Sequence, residues 1–159
     1  MLLLRFGFTK QTIDREFRGY SPLNSGYISI SQENKFSGVI TARTDILFLV
    51  MDLLALMSGL IGFFRNTRTK HWSFSATDAP CNIHLDRRKH AMIYLQVNGS
   101  EGLHPEEDVK VAFQEALVQF YEDEYMIARR NSHVEGLRAV ERDLDREFRE
   151  CYQEFLTMQ

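Results

Sequence analysis

Cys81 and His84, with His71 and His90 close by in the chain, are the residues that first raise the question of chemistry. A zinc site needs three or four such ligands converging at about 2.0–2.3 Å. Cys81 and His84 are an odd number of positions apart, so on one regular strand they face opposite sides. His71 belongs to another segment and His90 lies beyond a charged stretch. The expectation is no metal site, with the histidines scattered over the surface and Cys81 half-buried. No serine sits in a G-x-S-x-G turn, neither cysteine has a local nucleophile signature, and the glycine-rich patterns that cradle phosphates are absent. Glu106/Glu107 and Asp123/Glu124 are neighbours on helical stretches, where adjacent side chains diverge, so neither pair shares a proton. No catalytic residue and no cofactor is expected. An enzyme whose catalytic groups come from dispersed positions is the alternative that local motifs do not address.

Charge narrows the partners. Arg87-Arg88-Lys89-His90 could hold a phosphate backbone, but 19 basic against 22 acidic residues leave a net charge of −3. The basic run therefore reads as a solvated hairpin tip, and no nucleic acid is expected. Glu101, Glu106, Glu107 and Asp108 gather at the start of a helical stretch, where they complement the helix dipole. A second acidic group, Tyr121-Glu122-Asp123-Glu124-Tyr125, mixes carboxylates with tyrosines. Carboxylates steer a basic partner and aromatic rings anchor it, so these five residues are the candidate partner-binding set. An ordinary solvated helix face is the alternative.

These residues must be positioned by one chain of 159 residues, 44% hydrophobic and 26% charged, a length and composition that suit a single α+β domain over 1–159. Residues 2–8 read as a strand, 9–20 as a short helix through Ile13 and Phe17, and 21–26 as a loop. Alternation over 27–31 and 35–41 predicts a hairpin. Residues 46–64 read as a helix, apolar nearly all round, capped by Thr44 or Asp45. Arg65, Arg68 and Lys70 suit the negative end of its dipole. Three further strands follow at 70–76, 82–86 and 91–97, the meander ending at Asn98-Gly99. Pro105 at a first helical position opens a helical portion of about 105–157. Val109, Phe113, Ala116, Leu117, Phe120 and Ile127 form its first apolar stripe. A break near Asn131 and a capping box at Ser132 separate a second stripe through Leu137, Val140, Leu144, Phe148, Cys151 and Phe155. The expected architecture is an antiparallel sheet of about five or six strands, packed by a central hydrophobic helix, with a C-terminal helical hairpin. A homodimer through the C-terminal helices is the other use of that stripe.

Nineteen helical residues at 46–64 would extend about 28 Å, close to the roughly 30 Å of a bilayer's hydrocarbon. Ala55…Gly59 and Ser58…Gly62 even have the spacing of closely packed membrane helices. Against this, Asp52 near the middle costs about 2.5–3.5 kcal/mol of insertion, and a single span would part the hairpin at 27–41 from the strands at 70–97. The balance falls to a core helix, with a membrane anchor through 46–64 as the alternative. The first ten residues do not read as a signal peptide, because the apolar run is short and its charges follow it. Two cysteines make no disulfide framework, so a cytoplasmic protein with reduced thiols is expected.

The layout resembles the immunity proteins of bacterial polymorphic or contact-dependent toxin systems. The resemblance lies in Asp52-Leu53-Leu54-Ala55-Leu56 ending near Gly59 and Gly62, then Trp72-Ser73-Phe74, Asp78-Ala79-Pro80, Ile83-His84-Leu85 and Tyr94-Leu95-Gln96-Val97. It covers residues 44–97, and the remainder by architecture alone. It implies a non-enzymatic, stoichiometric inhibitor of a cognate toxin, with a basic toxin domain as the protein partner, and it transfers no binding residue position by position.

Overall fold

A computed structural model describes residues 2–8, 26–34, 40–48, 50–75, 82–97, 100–127 and 139–158. The short helix expected at 9–20, the loop expected at 21–26 except Gly26, which is in a strand instead, residues 35–39 of the expected hairpin, Cys81, Leu137 and the break at Asn131–Ser132 lie outside the described residues. Among the described residues, seven strands and three α-helices follow one another as β1 (Leu2–Phe8), β2 (Gly26–Asn34), β3 (Ile40–Phe48), α1 (Val50–Arg65), β4 (His71–Ser75), β5 (Asn82–Arg88), β6 (Met92–Val97), β7 (Ser100–Pro105), α2 (Glu106–Phe120) and α3 (Ala139–Leu156). A π-helical turn, Tyr121–Tyr125, continues α2.

The α+β class holds, but the strands are divided differently from the single sheet expected. Two antiparallel sheets form, β1-β2-β3 and β4-β5-β6-β7. Helix α2 packs on β1 and reaches β6 and β7 of the other sheet, so both sheets serve one apolar core. The Phe6 and Phe113 rings meet across it at 6.5 Å. Strand β7 was not expected, because Ser100-Glu101-Gly102-Leu103-His104-Pro105 has no β-branched residue. Its backbone is nonetheless registered on β6 from Val97↔Ser100 to Met92↔Pro105. Pro105 therefore ends a strand and caps α2 from outside the helix, with Glu106, Glu107 and Asp108 in the first turn.

The central helix also begins later than its hydrophobicity suggests. Ile46, Leu47 and Phe48 belong to β3, opposite Ile28, Tyr27 and Gly26, while the expected caps Thr44 and Asp45 face Ile30 and Ser29 in the ladder. An apolar run without periodicity fits a buried strand as well as a buried helix, and here pairing with β2 decides. The remaining 16 residues of α1 extend about 24 Å, and no helix among the described residues is long and apolar enough to cross a membrane. Leu53, Leu56, Met57, Leu60, Phe63 and Phe64 are buried, and α1 packs on α3 and on β4. The small residues do not act as one stripe. A Cβ at Gly59 would lie 2.5 Å from Trp72 Nε1, whereas one at Gly62 would meet nothing within 4 Å. Gly59 is thus where the helix seats on the sheet.

The C-terminal end of α1 is held from a distant part of the chain. Arg87, at the end of β5, donates from Nη2 to Phe63 O (2.7 Å), and from Nη1 to Asn66 O (2.9 Å) and Thr69 O. Its Nε and Nη2 reach Glu106 Oε1 at 3.2 and 3.0 Å, and its guanidinium lies 4.0 Å over the Phe63 ring. The expected local cations do less: Arg65 instead bridges α1 to Glu154 of α3 at 2.7 Å. Arg87 is consequently not part of a basic hairpin tip. Its side chain is 10% exposed, and only Arg88, Lys89 and His90 face solvent.

Removing a buried charge that satisfies the carbonyls of Phe63, Asn66 and Thr69 and a carboxylate leaves those acceptors without this donor. Arg87→Ala is expected to cost about 3–5 kcal/mol, and Arg87→Lys to recover less than half, because an ammonium lacks the planar fork. Urea denaturation midpoints measure both, and an Arg87→Ala loss under about 1 kcal/mol would contradict the account. Gly59→Ala is expected to destabilise as well, since overpacking of about 1–3 kcal/mol exceeds the roughly 1 kcal/mol that alanine gains in a helix. The emission of Trp72, the only tryptophan, should shift with it.

Candidate functional site

Strand alternation gives the β4–β7 sheet two unlike faces. Phe74, Ile83, Leu85, Ile93, Leu95 and Val97 are buried on one side. The opposite face carries three cross-strand rows set by the register: Ser75–Asn82, Ser73–His84–Gln96–Glu101, and His71–Asp86–Tyr94–Leu103. These side chains are mostly exposed or half-buried, and hydrogen bonds tie several of them together. His71 Nδ1 bonds Asp86 Oδ1, Ser75 Oγ donates to Asn82 Oδ1 at 2.7 Å, and Gln96 Nε2 donates to Glu101 Oε2 at 3.0 Å. Tyr94 also donates to Glu101.

The hydrogen bonds from Tyr94 and Gln96 hold the Glu101 carboxyl below its ordinary range, with exposure leaving only a small opposing effect of desolvation. The same carboxylate raises the Tyr94 hydroxyl, chiefly through their hydrogen bond. A polar hollow of about 210 Å³ lies among His71, Ser73, His84, Asp86 and Gln96, with Trp72 at its edge. In chemical terms His71 and Asp86 make an imidazole oriented by a carboxylate, the second half of a nucleophile–base–orienter set. The His71 side chain is 77% exposed, so bulk water surrounds the ring and weakens every electrostatic interaction it makes. The face is equipped to present fixed donors and acceptors to another surface.

The five partner-binding candidates divide. Tyr121 and Tyr125 are four positions apart, on one side of the π-helical turn, and that side is the core: Tyr125 is fully buried and Tyr121 is 8% exposed. Tyr121 stacks on Tyr152 at 3.7 Å between ring centroids, and Tyr125 meets Phe148 at 4.5 Å. The Tyr125 hydroxyl donates to the buried Asp145, whose other oxygen accepts from Arg149 Nε at 3.1 Å. Neither ring is placed to anchor a partner, which corrects that part of the expectation. Glu122 and Asp123 point outward and Glu124 is half-buried. Burial pushes the Tyr152 hydroxyl up to about 12, with Glu122 and Tyr121 adding to the effect.

The remaining candidates lie apart. His71, His84 and His90 are exposed, and no group of three or more His, Cys, Asp or Glu among the described residues is placed to hold a metal ion. His104 was passed over in the sequence. It lies half-buried on β7 with Nε2 unpartnered among the described residues, and burial lowers its imidazole, with Asp108 opposing the effect. The outer-face rows were missed as a set, although the alternation of His71-Trp72-Ser73-Phe74 and of Ile83-His84-Leu85-Asp86 already assigns them to one side. No protein-family model, curated protein or solved structure matches the chain.

Because its folded pKa is depressed, Glu101 supports folding above its unfolded pKa, and that support disappears as pH falls through the folded value. Tyr94→Phe is expected to move the Glu101 titration midpoint upward, toward an ordinary carboxylate, followed by NMR of the side-chain carboxyl. An unmoved midpoint would remove the hydrogen bond from the account.

Proposed function

We propose that this chain is a non-enzymatic protein-binding module, an immunity protein that neutralises a cognate toxin by stoichiometric binding in the cytoplasm. The observation that carries the reading is the outer face of the β4–β7 sheet, where hydrogen-bonded polar and aromatic groups stand in fixed cross-strand rows on a rigid, core-backed support. Pre-ordered side chains lose little freedom on binding, which favours tight association. Glu122, Asp123 and Glu124 supply negative charge that steers a basic toxin domain, leaving contact to the sheet. The second apolar stripe supports a one-to-one complex over a helical homodimer, because its Phe148 and Phe155 are already buried in the protein's own core.

Co-expression with a toxin-domain gene adjacent to its own is expected to restore growth, and the purified pair to elute as a one-to-one complex. Glu122→Lys with Asp123→Lys should slow association about tenfold at low salt, with the difference shrinking as salt screens it. A neighbourhood without such a gene, or a neighbouring toxin that kills regardless, would overturn the proposal.

A further inference from the structure

Strand β5 turns into β6 through three residues, between Arg88 and its partner Met92. Two of them, His90 and Ala91, take left-handed backbone angles (φ 63° and 55°) that non-glycine residues seldom adopt. The turn is nevertheless fixed: Ala91 O accepts from the Glu106 backbone N–H at 2.8 Å, tying it to the first turn of α2. The preceding Arg87 is locked to the end of α1. Arg88 and Lys89 therefore project from a rigid frame.

Beside them opens a hollow of about 620 Å³ lined by Arg88, Lys89, Met92, Tyr94 and Leu103. Its floor is apolar. Leu103 is 54% exposed, and the Tyr94 ring lies 5.2 Å below the Arg88 guanidinium, with its hydroxyl engaged by Glu101. At the rim, Arg88 has only a long 4.0 Å approach to Asp86, which is also bonded to His71, and Lys89 makes no ion pair among the described residues. A cavity of this size takes small organic ligands, in the range of about 300–1,000 Å³. An apolar floor under two cations matches a ligand with a greasy body and an anionic head.

We infer that this hollow binds an amphipathic carboxylate, an aliphatic or aromatic acid whose apolar body lies on Met92, Tyr94 and Leu103 and whose carboxylate meets Lys89 and Arg88. The hollow shares Tyr94 and Leu103 with the third cross-strand row on which the protein-binding reading rests, but the inference concerns a small ligand and its probes contain no protein, so the two readings fail separately.

Octanoate and octan-1-ol serve as matched probes, titrated calorimetrically in about 20 mM salt, where exposed charges are weakly screened. Octanoate should bind about fivefold more tightly than the alcohol, the size of effect that exposed charge contacts provide. Lys89→Glu should weaken octanoate about tenfold and leave the alcohol unchanged, because it reverses a charge at the rim. Leu103→Ser should weaken both. Both positions are exposed, so thermal unfolding should match the parent protein and report that the variants are folded. In NMR, octanoate should shift the Met92 methyl. Equal affinity for acid and alcohol, an octanoate affinity indifferent to Lys89→Glu, or shifts centred on Ile127 and Leu156 would each overturn the inference.

Discussion

The guanidinium of Arg87 is the joint on which the arrangement of helices and sheet depends. All five of its N–H groups find acceptors: three go to the carbonyls of Phe63, Asn66 and Thr69, and two to the Glu106 carboxylate. A helix end leaves carbonyls without intrahelical partners, and burying them unpaired is costly. Arg87 resolves that for Phe63 of α1 and for Asn66 and Thr69 in the turn that follows it, while its charge is balanced by the first residue of α2. The carboxylate of Glu106 in turn sits at the positive end of its own helix, so one residue satisfies both a buried cation and a helix dipole. The backbone follows the side chain, with Arg87 N bonded to Lys70 O and Glu106 N to Ala91 O, both at 2.8 Å. Three segments, residues 63–70, 87–91 and 106, are thereby fixed by one side chain and its backbone neighbours.

A second buried polar arrangement ties α3 to the π-helical turn. Asp145 is 2% exposed on α3, receives the Tyr125 hydroxyl and pairs with Arg149 one turn along. A buried carboxylate survives only if it is paired and hydrogen-bonded. The Tyr125 ring that holds it packs in turn on Phe148 and on Tyr121, which stacks on Tyr152. The π-helical turn widens the helix locally and sets both tyrosines against α3 while turning Glu122 and Asp123 outward.

These two arrangements also mark what the sequence makes legible and what it hides. Period-two and period-3.6 hydrophobicity identify β1, the β4–β6 meander, α2 and α3, because each depends on burying one side of a regular element. The start of α1 is hidden, since Ile46-Leu47-Phe48 is apolar on every side and only β2 determines its conformation. Strand β7 is hidden for the opposite reason, having almost no apolar signal, although Asn98-Gly99 is a strong hairpin dipeptide that predicts a returning strand. Arg87 looks like its neighbours Arg88 and Lys89 in sequence. Strand alternation sends it inward, and no local pattern tells that three carbonyls wait there. Tyr121 and Tyr125 are amphipathic enough for an interface or a core, and the choice is made by Phe148 and Tyr152, some twenty to thirty residues away.

The candidate surface follows from the same division of labour. Pleating puts Trp72, Phe74, Ile83, Leu85, Ile93 and Leu95 on the side that meets α1 and the core, and leaves His71, Ser73, His84, Asp86, Tyr94 and Gln96 on the other. Stability is supplied by the first set and by Arg87, so substitutions in the second set change little that the core depends on. Outer-face pairs such as Gln96–Glu101 and His71–Asp86 contribute modestly to folding but order the side chains that a partner would touch. A sheet backed by a locked core and faced with exchangeable polar rows can alter what it recognises without altering how it folds. That separation is the physical basis for resting the binding proposal on this face rather than on the buried aromatic cluster.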